Sequence, residues 1–437
     1  MNVSSKRHIL KNISWLSGEW IIKALVGLPV SIVVARYLGP ERVGILGYSL
    51  SLVGLFTPLA MAGLGGIVVR DLVKDHGAKE TLGSAFLLQM LGSLFVTVLP
   101  IATVLWMRPD DWLVQVVVAI IACQSLFAAF RVVDYWFQSK VESRHVSIWR
   151  TVATLIVAGS KILMVWLRAP LVAFALVAFF ESVLVAVFLT YIYRKRVGSI
   201  FDWRATKTRA KELFIQSWPL TISGLAIVVQ TNIDQVMLGE MLGDATVGQY
   251  SLAMKMVGYI AFLPVLLQRS WAPSVTAAKE KSHEAYRARM SQLYQLMFAI
   301  FLLQGLPLFF LGSPLMITLY GKPFAESGIL LSLLAFRVFF VNYGVARSVY
   351  ITNESIFTHS LISAVAGSVA NVVANYLIIP TWGAQGAIAA TLLSFTVTIF
   401  VMDVLFAKTR ENFFLMINSP WMMVRSGWRL LTTKKLF

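Results

Sequence analysis

The stretch "VARYLGPERVGILGYSL" (Val34–Leu50) sets Arg36, Glu41 and Arg42 into a tight turn at Gly39-Pro40, between two long apolar runs. A near copy, "MLGEMLGDATVGQYSL" (Met237–Leu252), stands in the second half of the chain. Shifted by 204 residues, Leu38, Gly39, Val43 and Gly44 meet Leu242, Gly243, Val247 and Gly248. After a slip of two, "YSL" at 48–50 meets "YSL" at 250–252, and further on "FRV" at 130–132 meets "FRV" at 336–338. Matches in this order and at this near-constant offset point to a duplication.

The surroundings of the turn say what is duplicated. The 437 residues are 58% hydrophobic and 14% charged, with a mean hydropathy of +0.74. A soluble chain has about 25% charged residues. Twelve apolar runs succeed one another from 11–35 to 383–407, most of them reaching the roughly 20 residues that cross a bilayer as a helix. The expectation is an all-α integral membrane protein of about twelve transmembrane helices. The N-terminal "MNVSSKRHILKN" runs on into an apolar segment without a small-residue cleavage site, so that segment reads as the first membrane helix. The one cysteine, Cys123, permits no intrachain disulfide.

The net charge of +17 could suggest nucleic acid, but its distribution assigns it to membrane orientation. With the N-terminus in the cytoplasm, 27 Lys and Arg fall on cytoplasmic segments. Only five (Arg36, Arg42, Arg108, Arg168 and Lys322) fall on the opposite side. This positive-inside bias puts both termini inside and makes the number of crossings even. Trp106, Trp112, Trp166 and Trp382 fall at outer helix ends, as an interfacial belt would. The longest loop, 194–212, is basic and cytoplasmic and divides the chain. The expected organisation is therefore a six-helix bundle over 1–193, a linker over 194–212, a second bundle over 213–407 and a tail over 408–437. Six helices per half make the repeats parallel, a design of secondary transporters with the substrate site at the repeat interface. In the tail, Trp421, Arg425, Trp428, Arg429, Lys434 and Lys435 fit an interfacial amphipathic segment on anionic lipid, and fit a disordered basic tail equally.

Enzyme signatures are absent from the sequence. His8, His76, His145, His283 and His359 fall in cytoplasmic segments or at helix ends, without a metal-ligand partner at helical spacing. There is no "GxxxxGK[ST]" phosphate loop, and "GLGG" at 63–66 is better explained by close helix packing. No cofactor is expected.

What remains is charge at membrane depth, which costs about 2.5–3.5 kcal/mol per group on insertion scales and so faces a bundle interior or a wet cavity. Glu19 and Lys23 are four apart on one helical face with Gly27 and Ser31, an arrangement that suits a structural pair and a cavity wall equally. Arg131 and Asp134 are three apart and can pair. Lys161 and Lys255 have no acid within a turn. Arg337 is similarly deep, and Arg347 on its face could snorkel to the cytoplasm. Glu181 is a lone deep acid, suited to a salt bridge or proton coupling. Asp234 closes a polar stripe with Ser223 and Gln230. Asn371 and Asn375 suit interhelical hydrogen bonding, and Asp403, near a helix end, is expected to be solvated. Lys23, Lys161, Lys255 and Arg337 are thus the candidate cavity cations. Glu19, Arg131, Asp134, Glu181, Asp234 and Arg347 are the coupling or structural candidates. Cations drawn from both halves suit an anionic cargo, since Lys and Arg recognise phosphate.

The stretch "VARYLGPERVGILGYSLSLVGLFTPLAMAGLGGIVVRDL" (34–72) resembles the opening of Wzx-type polysaccharide flippases, and "NIDQVMLGEMLGDATVGQYSLAMKM" (232–256) resembles their later repeat. These belong to the same superfamily as the multidrug MATE exporters. The resemblance implies a V-shaped MATE/MOP-like pair of six-helix bundles around a cationic cavity. It implies flipping of undecaprenyl-pyrophosphate-linked oligosaccharide across the bacterial inner membrane, with H+ or Na+ as coupling ion. The implied partners are the lipid-linked oligosaccharide, membrane lipid and other polysaccharide-assembly proteins, without nucleic acid. Two rival transporters are a peptidoglycan lipid-linked precursor flippase and a MATE-type multidrug/cation antiporter, the latter needing an acid-dominated cavity. A polysaccharide polymerase or ligase resembles others of its kind in a large outer loop, whereas the outer loops here, including 36–42 and 239–245, are short.

Overall fold

The computed structural model describes residues 3–61, 63–74 and 77–432, with side chains over 18–60, 63–74 and 77–425. His8, His76, Trp428, Arg429, Lys434 and Lys435 lie outside these side chains. Among the described residues the fold is all helical. The helices are α1 (Val3–Met61), α2 (Leu64–Val73), α3 (Ala78–Met107), α4 (Trp112–Cys123), α5 (Val132–Ser139), α6 (Ser143–Trp166), α7 (Leu171–Arg196) and α8 (Lys207–Leu242). They continue as α9 (Asp244–Ile260), α10 (Phe262–Lys281), α11 (His283–Tyr320), α12 (Ala325–Glu354), α13 (Phe357–Thr396), α14 (Met402–Leu405) and α15 (Arg410–Thr432). A 3-10 stretch, Gln124–Arg131, joins α4 to α5, and a π-helical turn, Val397–Val401, joins α13 to α14. By length and composition, ten helical runs among the described residues could cross a membrane. Two of these are broken by glycines, at Gly39 in α1 and at Gly383 in α13.

The duplicated turn is a duplicated backbone. Gly39 has φ 75° and ψ 172°, and Gly243 has φ 87° and ψ 170°. This region of backbone space is essentially restricted to glycine, because a Cβ would clash there. The repeated spelling "LG…VG" around each turn therefore encodes one specific reversal, used twice. Gly39→Ala and Gly243→Ala are each expected to destabilise the protein by about 1–3 kcal/mol, measurable as a lower melting temperature in detergent. Indifference to both substitutions would show that the turn tolerates another geometry.

The chain forms two compact units, Met1–Val236 and Met237–Phe437. The division falls inside α8 rather than in the basic segment 194–212. That segment and the start of α8 are fastened to the first unit. Trp203 Nε1 donates to Tyr193 Oη at 3.0 Å, and the Arg204 amide donates to the Lys79 carbonyl at 3.2 Å. Thr206 Oγ1 donates to a Glu80 carboxylate oxygen. Arg209 reaches Asp71 at 2.7 Å, Thr81 at 3.2 Å and Glu212 at 2.9 Å. The stretch is thus a docked strap, with a core beneath it built from α2, α3, α5 and α7 through Leu64, Val68, Leu82, Val133 and Leu189.

The second unit is built round α11 and α12. Met290, Leu293, Tyr294 and Met297 of α11 pack with Tyr343, Ala346, Val349 and Tyr350 of α12, and Leu415 and Met416 of α15 close the same core. Gln249 of α9 organises the start of α12: its amide donates to the Pro323 carbonyl at 2.7 Å, and its oxygen accepts from the Ser327 amide at 3.0 Å. The tail is therefore helical from Arg410 to Thr432 and packed on its unit, not a disordered extension.

Candidate functional site

The expected cargo cations divide between the units. In the first unit, Lys23 Nζ donates to Glu19 Oε1 at 2.7 Å, as their four-residue spacing required. Glu19 is 7% exposed, whereas the Lys23 side chain is 43% exposed, so the pair turns its positive end outward. Lys161 on α6 and Glu181 on α7 are half-buried on helices that pack together. Asp234 is buried on α8 together with Gln230, and Ser223 is half-buried.

In the second unit, Lys255 is exposed on α9 and Arg337 is half-buried on α12, which packs against α9. Met254, next to Lys255, places its sulfur 3.2 Å from Arg337 Nη1, and the Phe395 ring lies 5.7 Å from the guanidinium carbon. The guanidinium is held by soft, polarisable neighbours, a setting in which a cation–π contact contributes about 0.5–2 kcal/mol. Fold and repeat bring Lys255 and Arg337 onto adjoining helices. By the "FRV" correspondence, Arg131 is the first-unit counterpart of Arg337, and it is exposed at the end of the 3-10 stretch.

Asp134, the partner expected for Arg131, also meets groups beyond it. Asp134 accepts from Arg150 Nη2 at 2.9 Å and from Gln138 Nε2 at 2.9 Å. Arg131 lies in electrostatic range of Asp134, Arg150 and Tyr135. α6, which packs against α5, presents Arg150 to the same carboxylate. In the sequence, Arg150 reads only as a cytoplasmic charge.

The largest departures from the sequence reading concern Arg347, His359 and Asp403. Asp403 is not solvated: it is 0% exposed, and Arg347 is 5% exposed. Arg347 does not snorkel; its Nε and Nη2 donate to Asp403 Oδ1 at 3.0 and 2.6 Å, and Nη2 also donates to Ser363 Oγ at 3.2 Å. His359 Nε2 lies 2.9 Å from Asp403 Oδ1 and 3.0 Å from Arg347 Nη2. Arginine has no acceptor and a carboxylate has no donor, so a ring proton on Nε2 satisfies the carboxylate. The other carboxylate oxygen accepts from Asn412 Nδ2 at 2.8 Å, and Tyr294 Oη donates to Asn412 Oδ1 at 2.8 Å. One buried network thus ties α11, α12, α13, α14 and α15 together.

Two features hid it from the sequence. Its members are spread from Tyr294 to Asn412, and the π-helical turn Val397–Val401 rotates the residues C-terminal to it. One extra residue in a helical turn shifts the facing by about 100°, so helical periodicity read straight through this stretch misplaces the residues beyond it. Asn371 and Asn375 are likewise fully buried, but their mutual bond is within α13, Asn375 Nδ2 donating to Asn371 Oδ1 at 3.3 Å. Trp106, Trp112, Trp166 and Trp382 are all strongly exposed.

Long apolar helices in both units define a multi-pass membrane protein. Solved structures supply the fold. The chain is similar to an inward-facing multidrug resistance MATE family transporter of the MOP superfamily, at 14% identity and a TM-score of 0.64, covering 97% of this chain and 99% of that one. It is also similar to the lipid II flippase MurJ in an inward closed conformation, at 11% identity and a TM-score of 0.72, covering 97% and 94%. The fold is that of the MOP transporters. The chain belongs to the polysaccharide biosynthesis protein family, whose profile matches residues 9–273. A Shigella flexneri relative described as "Putative O-antigen transporter" is 22% identical over 308 residues, 67% of this chain and 72% of that protein.

Proposed function

We propose that this protein flips undecaprenyl-pyrophosphate-linked oligosaccharide, an O-antigen or exopolysaccharide repeat unit, across the bacterial inner membrane. It does so by alternating access, coupled to a gradient of H+ or Na+, with no covalent chemistry of its own. The proposed architecture has twelve crossings in two six-helix bundles, 1–193 and 213–407, with both termini in the cytoplasm; the breaks at Gly39 and Gly383 support that number. The family match carries the reading, and the Shigella relative's name points to the same cargo.

Lys255 and Arg337 are the proposed contacts for the pyrophosphate or sugar acids, and Arg131 joins them as the repeat counterpart of Arg337. Lys23 and Lys161 supply further positive charge. A MATE-type cation exporter is disfavoured because these accessible groups are basic. In a strain lacking the native copy, restored surface polysaccharide tests the reading. Accumulation of a lipid-linked peptidoglycan precursor instead of a lipid-linked repeat unit would reassign the cargo. Glu19 is the proposed coupling acid of the first unit: transport by Glu19→Gln is expected to lose its dependence on the ion gradient. Retained dependence would leave Glu19 a purely structural partner of Lys23.

A further inference from the structure

The tail helix α15 has two unlike faces. Asn412, Leu415, Met416 and Ser419 are buried against the second unit. Phe414, Ile417, Trp421 and Val424 recur every three or four residues and form an exposed apolar stripe beside them. That spacing puts them on one side of the helix, with Asn418 and Arg425 exposed along its border.

α15 is not among the ten membrane-capable runs and carries Pro420. Its contacts show its course. From Asn412 to Met422 it advances ten residues, about 15 Å. On α11 it meets His283 and Arg287 through Glu411, Tyr294 through Asn412 and Ser291 through Met422. It crosses α12 obliquely, from Tyr350 at the Lys408 carbonyl to Tyr343 at Ser419.

The position of the helix names what covers the stripe. The membrane-capable run Phe357–Leu405 ends five residues before Arg410, a separation that spans at most about 18 Å. α15 consequently starts at the membrane boundary, on the side that the Lys and Arg bias assigns to the cytoplasm. Exposed cations gather there: Lys408, Arg410 and Arg425, with Arg287 and Arg289 at the start of α11. Of the acids nearby, Glu411 is already engaged by His283 at 3.0 Å and Arg287 at 2.8 Å, and Glu284 is exposed.

We infer that α15 is a lipid-reading helix. It lies in the cytoplasmic interface, sinks Phe414, Ile417, Trp421 and Val424 among the acyl chains, and gathers anionic phospholipid headgroups with Lys408, Arg410 and Arg425. Apolar area supplies the immersion and each cation adds attraction to an anionic surface. Asn412, on the opposite face, holds Asp403. The lipid under α15 thereby bears on the same buried network that joins α11, α12 and α13. The cytoplasmic placement of the tail is part of the proposed architecture, whereas the cargo is not involved.

The test uses the full chain with Cys123→Ser, carrying single cysteines at 414, 417, 418 or 421. It is reconstituted in phosphatidylcholine alone or mixed with phosphatidylglycerol. Spin labels at 414, 417 and 421 are expected to be open to oxygen and shielded from a water-soluble nickel complex, with the reverse at 418. A fluorophore at 417 should be quenched more by brominated phosphatidylglycerol than by brominated phosphatidylcholine. That preference should fall roughly fivefold per charge removed in Lys408→Gln, Arg410→Gln and Arg425→Gln. All three side chains are exposed, so these variants are expected to fold. A stripe open to the nickel complex would overturn the inference. So would shielding that ignores phosphatidylglycerol, or shielding that tracks protein density and thus reports a second copy of the chain.

Discussion

Asp403→Ala is expected to lower the melting temperature of the detergent-purified protein by roughly 10 °C, with loss of folded protein from the membrane. The substitution leaves Arg347, itself 5% exposed, charged and without its carboxylate. Breaking a buried pair by removing one member costs about 3–5 kcal/mol, and a unit of this size loses about 2–4 °C per kcal/mol. The pair differs in this from surface ion pairs such as Lys79–Asp202, whose side chains are 66% and 51% exposed and whose loss is expected to be near neutral. The charge-free double variant Arg347→Met/Asp403→Leu is expected to recover most of the loss, because no ion is then left buried. Equal melting of Asp403→Ala and the parent would mean that solvent or headgroups reach Arg347. Failure of the double variant to recover would mean that the hydrogen bonds to Asn412 and His359, not the charge balance, hold the unit together.

The second large effect concerns transport and leaves the fold intact. Lys255→Ala and Arg337→Ala, at matched membrane abundance, are each expected to reduce surface polysaccharide. The double variant is expected to abolish it, with the lipid-linked intermediate accumulating. A charge-assisted hydrogen bond contributes about 1.5–3 kcal/mol, so each loss corresponds to a tenfold to hundredfold weaker hold on an anionic group. Arg337→Lys should be nearly as damaging as Arg337→Ala. The ammonium keeps the charge but loses the planar group that lies by Phe395 and Met254 and can grip two phosphate oxygens. Normal polysaccharide in the double variant would remove both residues from the cargo path. Melting temperature separates the two experiments: unchanged in the Lys255 and Arg337 variants, lowered in Asp403→Ala.

The two outcomes differ because the residues are legible to different degrees. Lys255 and Arg337 stand out in the sequence as basic residues in apolar helices, without a local acid. The structure adds that they stand on helices that pack together, α9 and α12. Glu19 and Lys23 are equally legible, since i,i+4 spacing on a helix fixes proximity without any tertiary information. Asp134 shows what that rule leaves out: Arg150, on another helix, also reaches its carboxylate, and spacing along the chain does not announce it.

Periodic and one-dimensional properties were decided by the sequence alone. They include the helical class, the membrane character, the duplication marked by Gly39 and Gly243, and the charge bias between loops. Each is a sum over neighbours along the chain, and the Gly-only backbone at the two turns carries its own steric cause. The tertiary structure alone decided which groups left the solvent together. Asp403 follows a π-helical turn of five residues, and contacts across more than a hundred residues joined it to Tyr294 through Asn412. The same contacts fixed α15 to the second unit and left its apolar stripe exposed. A buried ion is stable only where partners converge from several helices, and that convergence is set by packing in three dimensions, which spacing along the chain does not encode.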